Sequence, residues 1–398
     1  MFFEFFDSPL AWPTFLAAIN IYFIYYFTQV VKRPRLICAS GPFENFLVAN
    51  VRTISEKYWP TFWCLGGGAQ TLVANTIRQW TVPKVNYRKE ILKLKDGGEL
   101  GLHWLEDGCV ENSPCLIIIP GFIGESQTEY MRSLVKTANK AGLRVVSYNY
   151  RGLGGVALKT ARLYTLNCYE DLSEVIRHVH GKLPNGCKLG CAAVSLGTLM
   201  LGAYLADEKE EANKYLTAAM MISPPCDLKL GMQSMERPYF NRFFNYAIMW
   251  EVIRKFGSYD ILKKSNIDLD LILTSNTISD FIDKMLVKSS LFPSLDVCYA
   301  DAKLHNKFEN ISTPLLCICG ADDIFQPADA LPLAEVSKSS FVAMVLTEHG
   351  GHIGFLEGWW PFRGVQYLER VFVEYFTKTL FDKDGSFQKI KEQLGVFN

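Results

Sequence analysis

Ser195 lies in the run KLGCAAVSLGTLMLGAYL, where an apolar, strand-like stretch ends and a segment rich in small residues begins. A serine with small residues two before and two after it can occupy a sharp strand-to-helix turn that presents its hydroxyl as a nucleophile. Here those neighbours are Ala193 and Gly197. A serine in A-x-S-x-G would serve equally as a helix N-cap, so the weight comes from residues later in the chain. A hydroxyl attacks only when a base takes its proton, and that base needs a third group to orient it. Downstream, PLLCICGADDIFQP places Asp322 and Asp323 just past an apolar strand, and TEHGGHIGF places His349 and His352 just past another. Serine, aspartate, histidine in that order, each beyond a strand end, is the α/β-hydrolase order.

Within each pair the surroundings separate the candidates. Gly320 and Pro327 frame Asp323 in a G-x-x-D-x-x-x-P loop, while Asp322 can cap the turn. His352 follows Gly350-Gly351 and precedes Gly354, a flexible setting that lets its ring approach the serine, and His349 reads as loop support or as solvated. Asp227, after ISPPC, is a second candidate for the orienting acid. The oxyanion of a tetrahedral intermediate needs backbone N–H donors, one from the residue after the nucleophile and one from the loop after the third strand. These would be Leu196 and, in IIIPGFIGES, Phe122, although a plain turn would account for that loop too. His103, His178, His180 and His305 fall in segments better read as strand, helix surface or cap. His178 and His180, two apart, diverge on a helix and make a poor metal pair. No cofactor or metal is expected, because this chemistry requires none.

To bring such groups together the chain must form a sheet. Short apolar runs at 116–119, 145–148, 189–194, 218–222, 315–319 and 342–346 alternate with helix-length segments such as 127–140 and 169–181. That alternation predicts a mostly parallel sheet with helices on both faces, and the order of serine, aspartate and histidine along it makes the expected fold that of an α/β-hydrolase. A hairpin turning at Asp96-Gly97-Gly98 precedes it. Between residues 222 and 315 the rhythm stops. The interval is aromatic (PYFNRFFNYAIMW) and helix-like, and predicts a cap at about 225–310, either a lid or extra helical packing. The catalytic domain is expected over 86–380, with a membrane-proximal lead-in at 36–85 and a polar tail at 381–398. In the lead-in, Gly66-Gly67-Gly68 lacks the Lys-Ser/Thr of a phosphate loop and reads as a tight turn.

Composition sets the partners. The 398 residues carry 41 basic and 41 acidic side chains, so no net basic charge favours nucleic acid. The 11 cysteines are too few for a disulfide scaffold in a chain this long, and several lie in apolar runs, so most are expected reduced. From residue 12 to residue 31 (WPTFLAAINIYFIYYFTQVV) there is no charge, over about the length a helix needs to cross a bilayer. Residues 1–35 are therefore expected to form a transmembrane anchor, with a buried core helix as the alternative. Lys32, Arg33 and Arg35 favour a cytosolic catalytic part, and the membrane is expected to be that of the endoplasmic reticulum or another endomembrane.

The chain resembles the membrane-anchored α/β-hydrolases of the abhydrolase-domain type, the AB hydrolase 4 family, over roughly 43–378. The marks are YWPTFWCLGGGAQT, DGGELGLHW, PGFIGES, YNYRGLGG, ARLYTLNCYEDL, the Ser195 turn, PLLCICGADDIFQP and GGHIGFLEG. The resemblance implies cleavage of acyl-lipid esters, with Ser195, Asp323 and His352 as a triad. Where the family has G-x-S-x-G-G this chain has Ala193 and Thr198, and it has Asp-Ile where Asp-Pro is common. Three functions fit: a membrane-bound serine hydrolase of fatty-acyl esters, an acyltransferase using the same acyl-enzyme with an alcohol as acceptor, and a non-catalytic scaffold that keeps the fold.

Overall fold

The structure, a computed structural model, describes residues 11–163, 166, 168–256, 261, 268–288 and 291–396. Residues 1–10, three positions of the ARLYTLNCYEDL motif (164, 165 and 167) and parts of the expected cap (257–260, 262–267 and 289–290) lie outside them.

Nine strands form one sheet: β1 (Arg35–Ile37), β2 (Arg88–Lys93), β3 (Glu99–Leu105), β4 (Cys115–Ile119), β5 (Arg144–Asn149), β6 (Leu189–Val194), β7 (Ala218–Ile222), β8 (Leu315–Gly320) and β9 (Val342–Thr347). Their order is β1-β9-β8-β7-β6-β4-β5-β3-β2, parallel from β9 to β5 and antiparallel at both edges. The central strands read as unbroken apolar runs because both faces are covered. In β4, Leu116 and Ile118 point to one face and Ile117 and Ile119 to the other, each pair joining a separate hydrophobic cluster. The six expected parallel strands and the hairpin at Asp96-Gly97-Gly98 are all present.

Before β2 the helices are α1 (Ala11–Tyr25), α2 (Pro42–Asn50) and α3 (Gly67–Thr81). Between strands lie α4 (Glu129–Lys140), α5 (Glu170–Lys182) and α6 (Gly197–Glu208). After β7 the described residues of the cap region carry helices and no strand: α7 (Leu228–Met235), α8 (Phe240–Phe256), α9 (Leu269–Leu273), α10 (Ile278–Ile282) and α11 (Leu295–Ala302). A short α12 (Leu333–Val336) precedes β9, and α13 (Tyr367–Phe376) and α14 (Ser386–Gln393) follow it.

In the flanking segments the expected transmembrane helix is not confirmed, and the glycine cluster differs from its expected turn. Among the described residues no helix is long and apolar enough to cross a membrane. The uncharged run of residues 12–31 is divided: α1 ends at Tyr25, a π turn occupies Tyr26–Val30, and Tyr26, Val30 and Val31 are buried against Phe62 and Leu65. Tyr26 donates its hydroxyl to the Pro60 carbonyl at 2.7 Å, so the end of the run packs on protein. The glycine cluster starts a helix and is not a tight turn, with Gly66 as the N-cap of α3. At the other end the expected polar tail carries α14, whose Phe387 is wholly buried with its ring 4.9 Å from that of Phe46 on α2. One apolar face among charged residues is enough to dock so short a helix.

Candidate active site

Ser195 follows β6 and stands at φ 51°, with Leu196, the N-cap of α6, next in the chain. A left-handed serine is uncommon and is held here by a tight junction. Its N–H donates to the Ile222 carbonyl of β7 at 2.8 Å, and Thr198 donates its hydroxyl to the Ser195 carbonyl at 2.6 Å. A Cβ on Gly197 would sit 2.4 Å from the Pro120 carbonyl oxygen, so only glycine lets this turn lie against the loop after β4. Ala193, in place of the usual glycine, is buried in β6.

His352, in the loop after β9, reaches this turn: its Nε2 is 2.8 Å from Ser195 Oγ, and its Nδ1 is 2.8 Å from Asp323 Oδ2. Asp323, after β8, is buried, and its Oδ1 accepts the N–H groups of Phe325 and Gln326 at 2.8 and 3.3 Å. An acid held in that way fixes the Nδ1–H tautomer and leaves Nε2 to accept the serine proton. The Phe325 ring lies 4.4 Å from the imidazole, centroid to centroid, and shields it.

The alternative acids do other work. Asp322 Oδ1 accepts the Gly351 N–H at 2.8 Å, and its Oδ2 is 3.4 Å from His349 Nδ1, so both support the loop that carries His352. Asp227 caps α7 through Leu230 N–H at 3.1 Å and pairs with Lys303 at 2.7 Å. Phe122 and Leu196, expected oxyanion donors, both line the cavity that contains Ser195 and His352. Next to Phe122, Ile123 has φ 52°, and after His352, Ile353 has φ 61°. Positive φ at β-branched residues is strained, and here it gathers around the site.

The cavity measures about 410 Å³. Leu228, Met232, Phe244, Ile248, Phe281 and Met285 from the cap region make most of it apolar, while Glu129, at the start of α4, and Glu251 of α8 add carboxylates. Burial raises the Glu129 carboxyl above the usual carboxylate range, against the pull of Arg78 and the first N–H groups of α4.

Sequence reasoning missed the helix behind His352. Helix α3 grips residues 351–356 along its length: Thr71 Oγ1 accepts the His352 N–H at 2.9 Å, and Gln70 Oε1 accepts Leu356 N–H at 2.8 Å. Arg78 donates to the carbonyls of Ile353 and Gly354 at 2.6 and 3.1 Å. A Cβ on Gly351 would lie 2.1 Å from the Gly67 carbonyl oxygen, and Gly351 itself has φ 57°. The signal was in the helical period, since Gly67, Gln70, Thr71, Ala74 and Arg78 all fall on one face.

Fold and site together define an α/β-hydrolase with a serine, histidine and aspartate relay at the carboxyl edge of its sheet. A family model described as Serine aminopeptidase, S33 (Hydrolase_4) matches residues 111–358. The chain is 32% identical to Phospholipase ABHD3 of Mus musculus over 377 residues, covering 93% of this chain and 90% of that protein. It is likewise 32% identical to Phospholipase ABHD3 of Homo sapiens, covering 93% and 91%. Monoacylglycerol lipase ABHD2 of Bos taurus is 24% identical, covering 86% of this chain and 84% of that protein. The chain belongs to the abhydrolase-domain family of α/β-hydrolases, and is a hydrolase of the lipase and esterase type.

Proposed function

We propose that the chain hydrolyses fatty-acyl esters of lipids, of the phospholipid or acylglycerol class, through an acyl-enzyme on Ser195. The carrying observation is the unbroken relay Ser195–His352–Asp323, with both links at 2.8 Å, opening into an apolar cavity of about 410 Å³. Relatives described as phospholipase and monoacylglycerol lipase support the substrate class. Ser195 Oγ attacks the acyl carbonyl carbon while His352 Nε2 takes its proton. The oxyanion accepts from the backbone N–H groups of Phe122 and Leu196. Collapse breaks the ester bond, and the departing alcohol takes the proton from His352. Water, deprotonated by the same imidazole, then attacks the acyl-enzyme and releases the fatty acid, restoring the serine. Ser195→Ala is expected to abolish fluorophosphonate labelling and to lower lipid-ester turnover by about a thousandfold or more. Full turnover in that variant ends the reading. Added alcohol distinguishes water from an alcohol as acyl acceptor, since transfer would yield a new ester.

The reading includes a membrane location, at an endomembrane with the catalytic part on the cytosolic side. It is supported by exposed apolar side chains along α1, Trp12, Leu16, Ile21 and Ile24 among them, and by the basic residues Lys32, Arg33 and Arg35 beyond it. Asn310 begins an Asn-X-Ser sequon and is exposed. A cytosolic domain leaves it unglycosylated, and a mobility shift on deglycosylation would reverse the orientation.

A further inference from the structure

Helix α8 carries large apolar side chains on every side, although it lies at the surface. A surface helix is ordinarily apolar on one face only. Phe244, Ile248 and Glu251 line the cavity, and Met249 and Val252 are buried in the main hydrophobic cluster. The remaining face carries Phe243, Tyr246 and Trp250, spaced by three and four so that they form one stripe, and these are 62%, 41% and 68% exposed. The described residues leave that stripe open. Arg242 extends over the Tyr246 ring, 5.6 Å from its centroid, and donates to the Tyr246 hydroxyl at 3.1 Å.

We propose that this outward stripe of α8 is a docking surface for a lipid bilayer, and that it seats the mouth of the cavity on the membrane. The inference rests on the lipid-ester reading above and adds where the substrate enters. Three observations favour a bilayer as the occupant. Tyrosine and tryptophan, with one apolar end and one polar end, are the side chains that concentrate at membrane interfaces, and an arginine beside them matches the headgroup layer. The stripe adjoins the cavity: Ala247 on α8 and Leu72 on α3 line the cavity and are also exposed, so the opening lies beside the aromatic face. A lipid leaving a bilayer here would pass from one apolar surface to another without crossing water. The exposed apolar helix α1 is close by as well. Tyr22 donates its hydroxyl to the Phe62 carbonyl, and Gly68, six residues on, packs against the Phe240 ring that opens α8. Six residues of chain span at most about 22 Å, so one lipid surface can meet both helices.

The test uses the full chain on ether-linked phosphatidylcholine vesicles, which resist hydrolysis, doped with a fluorogenic lipid ester. A water-soluble short-chain nitrophenyl ester serves as the comparison. The triple variant Phe243→Ser, Tyr246→Ser, Trp250→Ser is expected to lose about tenfold or more in rate on the vesicle ester and to stay within about twofold on the soluble one. Equal rates on vesicles, or equal losses on both substrates, overturn the proposal. Should the triple variant fail to fold, Trp250→Phe decides it by fluorescence. Brominated vesicles are expected to quench a larger share of tryptophan emission in the wild type than in this variant, and identical quenching overturns the docking surface. A change from dimer to monomer in the triple variant, with vesicle turnover intact, makes a second copy the occupant and overturns it too. If the wild type turns over no lipid ester at all, the functional reading fails, and the quenching comparison still decides the docking surface.

Discussion

The backbone N–H of His352 donates to the hydroxyl of Thr71, 2.9 Å away and 281 residues earlier in the chain. A helix that precedes the whole sheet except its edge strand β1 thus sets the height of the imidazole over Ser195. Rotation of the ring is limited by Asp323, but translation of its backbone is limited by α3. An error of about 1 Å in such a position can cost about a hundredfold in rate. Thr71→Val keeps the shape and removes the acceptor, leaving an enclosed N–H unsatisfied at a cost of roughly 1–3 kcal/mol. The expected outcome is a fall in kcat of about tenfold with KM within about twofold, and recovery in Thr71→Ser. A variant that changes KM alone would reduce Thr71 to a wall of the cavity.

The three carboxylates near the relay should separate cleanly by rate. Asp323→Asn leaves the fold intact but presents the wrong group to Nδ1, and kcat should fall by about ten-thousandfold. Asp322→Asn retains an oxygen for the Gly351 N–H, so a loss of about tenfold or less is expected. Asp227→Asn should leave turnover essentially unchanged while lowering thermal stability, because its carboxylate caps α7 and pairs with Lys303. Steady-state kinetics on all three with one soluble ester checks the ranking. An Asp227 variant as inactive as the Asp323 variant would reassign the acid.

The relay was legible in the sequence because each member sits just past a buried parallel strand, and such strands announce themselves as unbroken apolar runs. Chain order then selected the pairs Asp322/Asp323 and His349/His352, and the glycines and proline around Asp323 and His352 chose within each. The support around them was harder to read. Thr71 and Arg78 act through helix periodicity in a segment whose own strand partners are remote, and no short motif marks a contact between residues 71 and 352. The N-terminal run read as one continuous span since hydropathy counts residues and not partners. Tyr26 and Val30 lie in the same uncharged run as Ile21 and Ile24, yet the first two meet Phe62 and Leu65 while the second two remain exposed. Helix α14 within the C-terminal stretch carries no such signal, because the buried ring of Phe387 is diluted by the charges around it.

Arg151 joins three of the sequence marks of the family. Its side chain is 2% exposed, and the guanidinium forms a bidentate pair with Asp171, Nε to Oδ2 at 2.6 Å and Nη2 to Oδ1 at 2.7 Å, while Nη1 meets Asp96 at 2.8 Å. The motifs DGGELGLHW, YNYRGLGG and ARLYTLNCYEDL thereby share one cation. Burial alone would lower the arginine's pKa, but the two aspartates outweigh it and hold the group above its ordinary range. Lysine cannot reproduce the fork. Arg151→Lys is expected to cost about 2–4 kcal/mol by denaturant unfolding, and Arg151→Met more, since it leaves Asp171 buried without its charge partner. Equal stabilities of all three proteins would show that the pair is screened.

Glu129 gives a pH dependence whose sign follows from its burial. The residue is 8% exposed, and desolvation raises its folded pKa even though Arg78 and the first N–H groups of α4 oppose the shift. Between the unfolded value, about 4.3, and the higher folded one, the native chain holds more protons here than the unfolded chain. Stability from this group is therefore fully present below about pH 4 and is lost as pH rises through the folded pKa. Glu129→Gln keeps the shape without the charge, so it has nothing to lose. Melting temperatures of the variant and the wild type, measured from pH 4 to pH 8, should differ increasingly in the variant's favour as pH rises. The difference should level off once the wild-type carboxyl is ionised. A flat difference would mean that Glu129 is solvated in the working protein, and a difference of opposite slope would mean that Arg78 dominates over burial. Because Glu129 lines the cavity beside Ser195, an apolar ligand that excludes water should raise its pKa further. Repeating the series with a bound, non-hydrolysable acyl ether is expected to move the pH at which the difference levels off to a higher value.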